Sequence, residues 1–106
     1  MTDKIVVVST CAGEEEAARL AQVLVEARLA ACVTILPGAR SVYRWQGAIE
    51  TAAEYVLLIK SSRELFEPLR AALERAHTYD VPEILALPVV AGSVNYLSWL
   101  AGELRA

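Results

Sequence analysis

The stretch from Leu29 to Glu50 constrains this chain most. A strand-like apolar segment, Cys32-Val33-Thr34-Ile35-Leu36, is interrupted by Pro37-Gly38 and followed by Tyr43, Trp45, Gln46-Gly47 and Ala48-Ile49-Glu50. Proline cannot donate to a β ladder and glycine tolerates positive φ, so a Pro-Gly pair inside a β pattern marks a bend or bulge. Gln46-Gly47 is a short turn signal between two β-like runs. The segment predicts a long bent hairpin that carries exposed aromatics. A hairpin of this length needs a partner over its apolar side chains, so it points to assembly before chemistry.

Around the hairpin the pattern is regular. Ile5-Val6-Val7-Val8 reads as a first strand. Gly13 then permits a cap, Glu14, Glu15 and Glu16 suit the positive end of a helix, and Ala17, Leu20, Ala21 and Leu24 carry the apolar stripe to about Arg28. Strand two starts near Cys32, and strand three runs from about Ala48 to Lys60. Ser61 with Glu64 resembles a capping box, and Leu65, Leu69, Ala72, Leu73 and Ala76 stripe a second helix. Pro68 requires that helix to start late or to bend in its first turns. Strand four spans Ile84 to Val89, and Ser93 caps a last helix with Val94, Leu97 and Leu100 facing inward. Tyr96 and Trp99 are expected to pack in the core or between helices. The order is βαββαβ plus a terminal helix, an α+β ferredoxin-like sandwich of two helices on a four-stranded sheet. Its 106 residues form one domain, with no repeat or linker to divide them.

The strands do not alternate as a half-wet sheet should. Val6-Val7-Val8, Val56-Leu57-Leu58-Ile59 and Ile84-Leu85-Ala86-Leu87 are apolar on both faces. Two helices cover one face. Either the terminal helix and the hairpin fold back over the other, or further copies of the chain cover it. The hydrophobic content of 56% favours the second reading.

Charge and composition remove several classes of function. A net charge of −3 leaves no basic footprint for nucleic acid. The first apolar run is too short for a membrane span or a signal-peptide core, so a cytoplasmic location is expected. Cys11 and Cys32 lie in no CxxC motif and are expected to be free thiols, with Cys32 slow to react in its apolar strand. No GxGxxG or P-loop is present. With a single histidine, His77, and no nucleophile-elbow pattern around any serine, nothing supports an enzyme. A structural zinc site needs four Cys or His ligands, and three exist. His77, just beyond the second helix, reads either as a C-terminal cap or as a metal ligand, since imidazole suits copper and zinc.

Leu29-Ala30-Ala31-Cys32, Ile35-Leu36-Pro37-Gly38, Ser41-Val42-Tyr43, Trp45-Gln46-Gly47 and Ile49-Glu50 resemble the signature of the CutA family of divalent-cation tolerance proteins. Leu57-Leu58-Ile59-Lys60, His77-Thr78-Tyr79-Asp80-Val81-Pro82-Glu83-Ile84, Ala86-Leu87-Pro88-Val89 and Tyr96-Leu97-Ser98-Trp99-Leu100 match in order, so the resemblance covers essentially the whole chain. It implies a homotrimer with the sheets packed inside and the hairpins paired between subunits. It implies a copper site built from a cysteine at the end of strand one and histidines at the turn after the second helix. Here the strand-one position aligns with Thr10, with Cys11 next to it, Ala76 stands before His77, and Thr78 follows where proline is usual. Copper is therefore expected to bind weakly, with His77 and Cys11 as ligands. The resemblance also places charge at Glu50, Lys60 and Glu83, which together with Trp45 and Tyr79 form an expected intersubunit cleft; a plain solvent-facing ion pair is the alternative for those charges. Two functions follow: a homotrimer in the response to divalent metal ions, or a trimeric signalling or assembly module that binds a small molecule in that cleft.

Overall fold

The computed structural model describes residues 2–106. Its elements are β1 (Lys4–Cys11), α1 (Glu14–Glu26), β2 (Cys32–Trp45), β3 (Ala48–Ser62), a 3-10 turn (Arg63–Leu65), α2 (Phe66–Ala76), β4 (Leu85–Pro88) and α3 (Val94–Glu103). The four strands form one antiparallel sheet in the order β2-β3-β1-β4. This is the expected ferredoxin-like order with an added C-terminal helix. β1 is longer than Ile5–Val8 and β4 is shorter than Ile84–Val89. Pro88 is accommodated because β4 is an edge strand, where a missing backbone donor breaks no ladder bond.

The core lies on the helical side of the sheet. Ala17, Leu20 and Leu24 of α1 and Leu69, Ala72 and Leu73 of α2 pack with Ile5, Val7, Leu57 and Ile59. α1 ends with Arg28 in the left-handed region, at φ 59. The Leu29 N–H reaches the Leu24 carbonyl at 3.0 Å and the Arg28 N–H reaches that of Val25 at 3.0 Å, a Schellman ending without its usual glycine. No capping box forms at Ser61, because its hydroxyl donates to the Leu29 carbonyl at 2.6 Å and ties β3 to the end of α1. Pro68 is the third residue of α2, within the first turn, where a backbone N–H has no helical partner to lose.

The opposite face of the sheet is open. Register places Val6, Val8, Thr10, Cys32, Thr34, Leu36, Val56, Leu58, Lys60, Leu85 and Leu87 on it. Leu85 and Leu87 are 58% and 51% exposed, so neither α3 nor the hairpin folds back over them. α3 is capped by Ser93, whose hydroxyl accepts from the Tyr96 N–H at 3.3 Å. Leu100 is its one buried residue, Leu104 packs on the core, and the Arg105 N–H reaches the Arg28 carbonyl at 2.9 Å. Contrary to the inward-facing expectation, Val94 is 81% exposed. Tyr96 and Trp99 also remain outside the core, half-exposed, with their rings tilted against each other at a centroid distance of 5.7 Å. With ten residues and one buried side chain, the helix leaves most of its apolar set outside the core.

The hairpin stretches the molecule to 44 Å along its long axis. Its tip is a two-residue turn with Gln46 at φ 50 and Gly47 at φ 83, the pattern of a type I′ turn, whose twist matches that of the strands. A β-branched side chain at that left-handed position is strained by roughly 1–2 kcal/mol. Gly47→Val is therefore expected to lower the thermal midpoint by roughly 5 °C at fixed protein concentration, read by circular dichroism.

Candidate binding pocket at the base of the hairpin

The pocket depends on one register shift. Between Leu36, opposite Val56, and Ala39, opposite Glu54, β2 advances three residues while β3 advances two. Pro37 and Gly38 (φ 81) form this bulge. A one-residue insertion reverses which face later side chains take. Before the bulge the even-numbered residues of β2 share the open face; after it Ala39, Ser41, Tyr43 and Trp45 do, alongside Glu54.

Glu54 is 6% exposed despite its charge. Its carboxylate accepts a short hydrogen bond from the Ser41 hydroxyl on the neighbouring strand and another, of 2.7 Å, from the Tyr79 hydroxyl. Burial, reinforced by the Glu54 carboxylate, pushes the Tyr79 phenol far above its usual range, so it remains a proton donor.

His77 brings Tyr79 to this place. It is the C-cap residue of α2, and its N–H reaches the Leu73 carbonyl at 2.9 Å. Its Nε2–H donates to the Thr10 carbonyl at 2.8 Å, and its Nδ1 accepts the Tyr79 N–H at 3.0 Å. That pattern assigns the neutral Nε2–H tautomer and leaves neither nitrogen lone pair open. The ring lies 4.8 Å from that of Tyr79, centroid to centroid. Glu16, on α1, accepts from the Thr78 N–H and hydroxyl, both at 2.9 Å. The segment after α2 is thus pinned to β1, β3 and α1.

The resulting cavity of about 470 Å³ is lined by Thr10, Ser41, Val42, Tyr43, Trp45, Glu54, Tyr79, Asp80, Val81 and Glu83. Of the expected cleft residues, Trp45, Tyr79 and Glu83 meet here. Glu50 does not: it is exposed, opposite Tyr43, outside the lining. Lys60 does not either. It sits farther down the open face, its Nζ 2.6 Å from Thr34 Oγ1 and 3.6 Å from Cys32 Sγ. Cys32, expected to be shielded in its strand, is only half-buried. Sequence reasoning did not place Glu54, Ser41, Asp80 or Tyr43 in the cleft, although Tyr43 was expected as an exposed aromatic of the hairpin. The available signal was an acid in the β3 run Ala53-Glu54-Tyr55-Val56, on the parity of Leu58 and Lys60.

The two expected metal ligands are not presented together as an open site. Both nitrogens of His77 are engaged. Cys11 is fully buried on the helical side, with its thiol 3.6 Å from the Gly13 carbonyl. Burial raises its pKa, which keeps it a thiol where a metal needs a thiolate. Thr10, one residue earlier, lines the pocket instead. Among the described residues no group of three His, Cys, Asp or Glu side chains is placed to hold a metal ion. Nor is any helix among them long and apolar enough to cross a membrane.

The family model for the CutA1 divalent ion tolerance protein matches residues 5–103. The chain belongs to this family. A relative, the divalent-cation tolerance protein CutA of Pectobacterium atrosepticum, is 47% identical over 105 residues, covering 99% of this chain and 96% of the relative. The chloroplastic protein CutA of Arabidopsis thaliana is 45% identical over 101 residues, and the match spans 95% of this chain but 56% of that longer protein. The crystal structure of CutA from Xylella fastidiosa superposes with a TM-score of 0.95 at 43% identity, over 98% of this chain and 100% of the other. The Arabidopsis relative is named as chloroplastic and a solved structure from Archaeoglobus fulgidus, 34% identical with a TM-score of 0.93 over 96% of this chain and 99% of that one, is described as periplasmic, so membership alone fixes no location for this chain.

The tether between Glu16 and Thr78 yields a pH prediction. Burial pushes the Glu16 carboxyl up, but the two bonds from Thr78, together with His77 and the Ala12 backbone, hold the pKa below the usual 4.5. A depressed carboxylate stabilises the fold above its unfolded pKa, and this contribution fades as pH falls through the folded value. Glu16→Gln should cost about 1 kcal/mol at neutral pH. The difference from wild type should close progressively below pH 4.5 in urea denaturation series.

Proposed function

We propose that the protein serves the response to divalent metal ions in the cytoplasm as a homotrimer, and that its working site is the pocket beside the open face of the sheet. The observation that carries this reading is the uncovered apolar face: Leu85, Leu87 and Leu36 stand in water next to half-buried Val6, Val8, Val56 and Leu58. A contiguous apolar face of this kind is a protein interface in a stable chain, and burying it is worth roughly 25 cal/mol per Å². The threefold state is what the resemblance implies. Exposed Val42 and Ile49, on the other face of the hairpin, offer a second apolar surface along which copies can pair. In such an assembly the pocket lies between subunits, because Tyr43, Trp45 and Glu54 share the parity of that face.

The second reading, a module that binds a small molecule, is favoured by the cavity itself, whose polar groups converge on buried Glu54. Copper enters as a weak ligand only. A metal at His77 has to displace the Thr10 carbonyl or the Tyr79 N–H. In calorimetry, cupric ion is expected to bind weakly and His77→Ala to lose most of that binding; equal titrations would remove His77 from the site.

Sedimentation equilibrium over a wide dilution range tests the assembly. Wild type is expected to sediment as a trimer. Leu87→Asp alters an exposed position, so it should leave the fold intact and dissociate the assembly; Leu58→Asp should do the same, and Trp45→Ala should weaken it. A well-folded wild-type monomer at micromolar concentration would refute the reading.

A further inference from the structure

We propose that the pocket is selective for a small organic cation: an ammonium head on a short apolar body. The inference rests on the reading of this pocket as the working cleft and names the chemistry of its ligand.

Three carboxylates, those of Glu54, Asp80 and Glu83, line the cavity, and no lysine or arginine does. Acids on a surface usually find a cation within the chain. Here none of the ion pairs among the described residues involves any of the three. Glu54 is the telling one. It is buried, and its hydrogen bonds come only from the neutral hydroxyls of Ser41 and Tyr79. A buried charge held by neutral donors alone lacks the countercharge that normally offsets its desolvation. The described residues supply none, so a ligand can.

The other walls decide what kind of cation. Tyr43, Trp45 and Tyr79 are aromatic, and Val42 and Val81 are aliphatic. Aromatic rings attract ammonium and guanidinium groups through their quadrupoles, with Trp the strongest. A bare divalent metal asks for converging oxygens or imidazole nitrogens, and the described residues offer no such group of three. Both Glu54 oxygens already accept from hydroxyls. An acidic, aromatic cavity of about 470 Å³ suits an alkylammonium in size as well as in charge.

The test uses three probes of one shape and different charge: n-butylammonium, n-butanol and butyrate. They are titrated into the full chain at neutral pH, in a Trp99→Phe background, so that fluorescence reports Trp45 alone. Saturable binding of butylammonium, with butanol and butyrate at least about tenfold weaker, is expected. Glu54→Gln should weaken butylammonium by about tenfold or more, because the charge is lost while the amide oxygen still accepts from one hydroxyl and the amide N–H donates to the other. Glu83→Gln, at an exposed position, should weaken it too and guards against a folding defect in the first variant. Glu50→Gln, on the same hairpin but outside the cavity, should change nothing. Equal binding of butanol, preference for butyrate, no binding at all, or indifference to both Glu54→Gln and Glu83→Gln would overturn the proposal. So would binding seen only in the dissociated Leu87→Asp variant, which would make a neighbouring copy's side chain the occupant. Sedimentation of the same samples separates the two readings. A trimer that ignores butylammonium sinks this inference alone. A monomer that binds it keeps the cation preference and sinks the intersubunit cleft.

Discussion

One inserted residue in β2 governs what the open face of the sheet carries. The strand is continuous on either side of Pro37-Gly38, and β3 opposite runs through without interruption. If β2 kept its parity, Val42 and Arg44 would share the face of Glu54 and Leu58, and Tyr43 and Trp45 would point away. The bulge costs ladder hydrogen bonds and asks for a glycine at φ 81. In return it sets aromatic residues beside a buried acid. The site is therefore a product of register as much as of composition.

The second constraint is economy of cover. α1 and α2 seal one side of the sheet completely enough that Val7, Leu57 and Ile59 have no exposed surface. Nothing comparable lies over the other side. Both strands of the hairpin continue well past the body of the sheet, and its tip carries exposed Trp45 and Ile49. A chain this small has little stability to spend on such an extension unless the extension is covered by something. Fold and proposed assembly are in this sense the same problem.

Much of this was legible in the residues. The Pro37-Gly38 interruption announced the bulge, Gln46-Gly47 the turn, and the two-sided apolar strands the open face. Tyr79, Trp45 and Glu83 were placed in one cleft by resemblance, and the structure brings them together. The failures have physical causes. Lys60 and Glu50 carry charge in the family pattern, but their distance from the cleft depends on how far along β3 the bulge falls, which a sequence does not state. Thr10 and Cys11 differ by one position and therefore by one face. Glu54 reads as an ordinary polar residue in a strand, because its burial comes from Tyr79, 25 residues later, folding back onto it. Tyr96 and Trp99 read as core by size alone, although α3 has only Leu100 turned fully inward.

That sparse attachment of α3 sets a hierarchy of local opening. The helix is held by Leu100, by Leu104 below it, by one backbone bond to Arg28 and by the 3.5 Å ion pair between Arg28 and Glu103. Such an element detaches at a free energy well below that of the whole fold. Its amides should exchange with solvent sooner than those of β1 and β3, whose opening requires the core to come apart. Burial first, and then the nearby Cys32 thiol, raises the Tyr96 phenol above its usual range, so the two side chains are neighbours. Each excursion of the C-terminal helix therefore also uncovers the first residue of β2, and local breathing at one end of the chain becomes chemical accessibility in the middle of it.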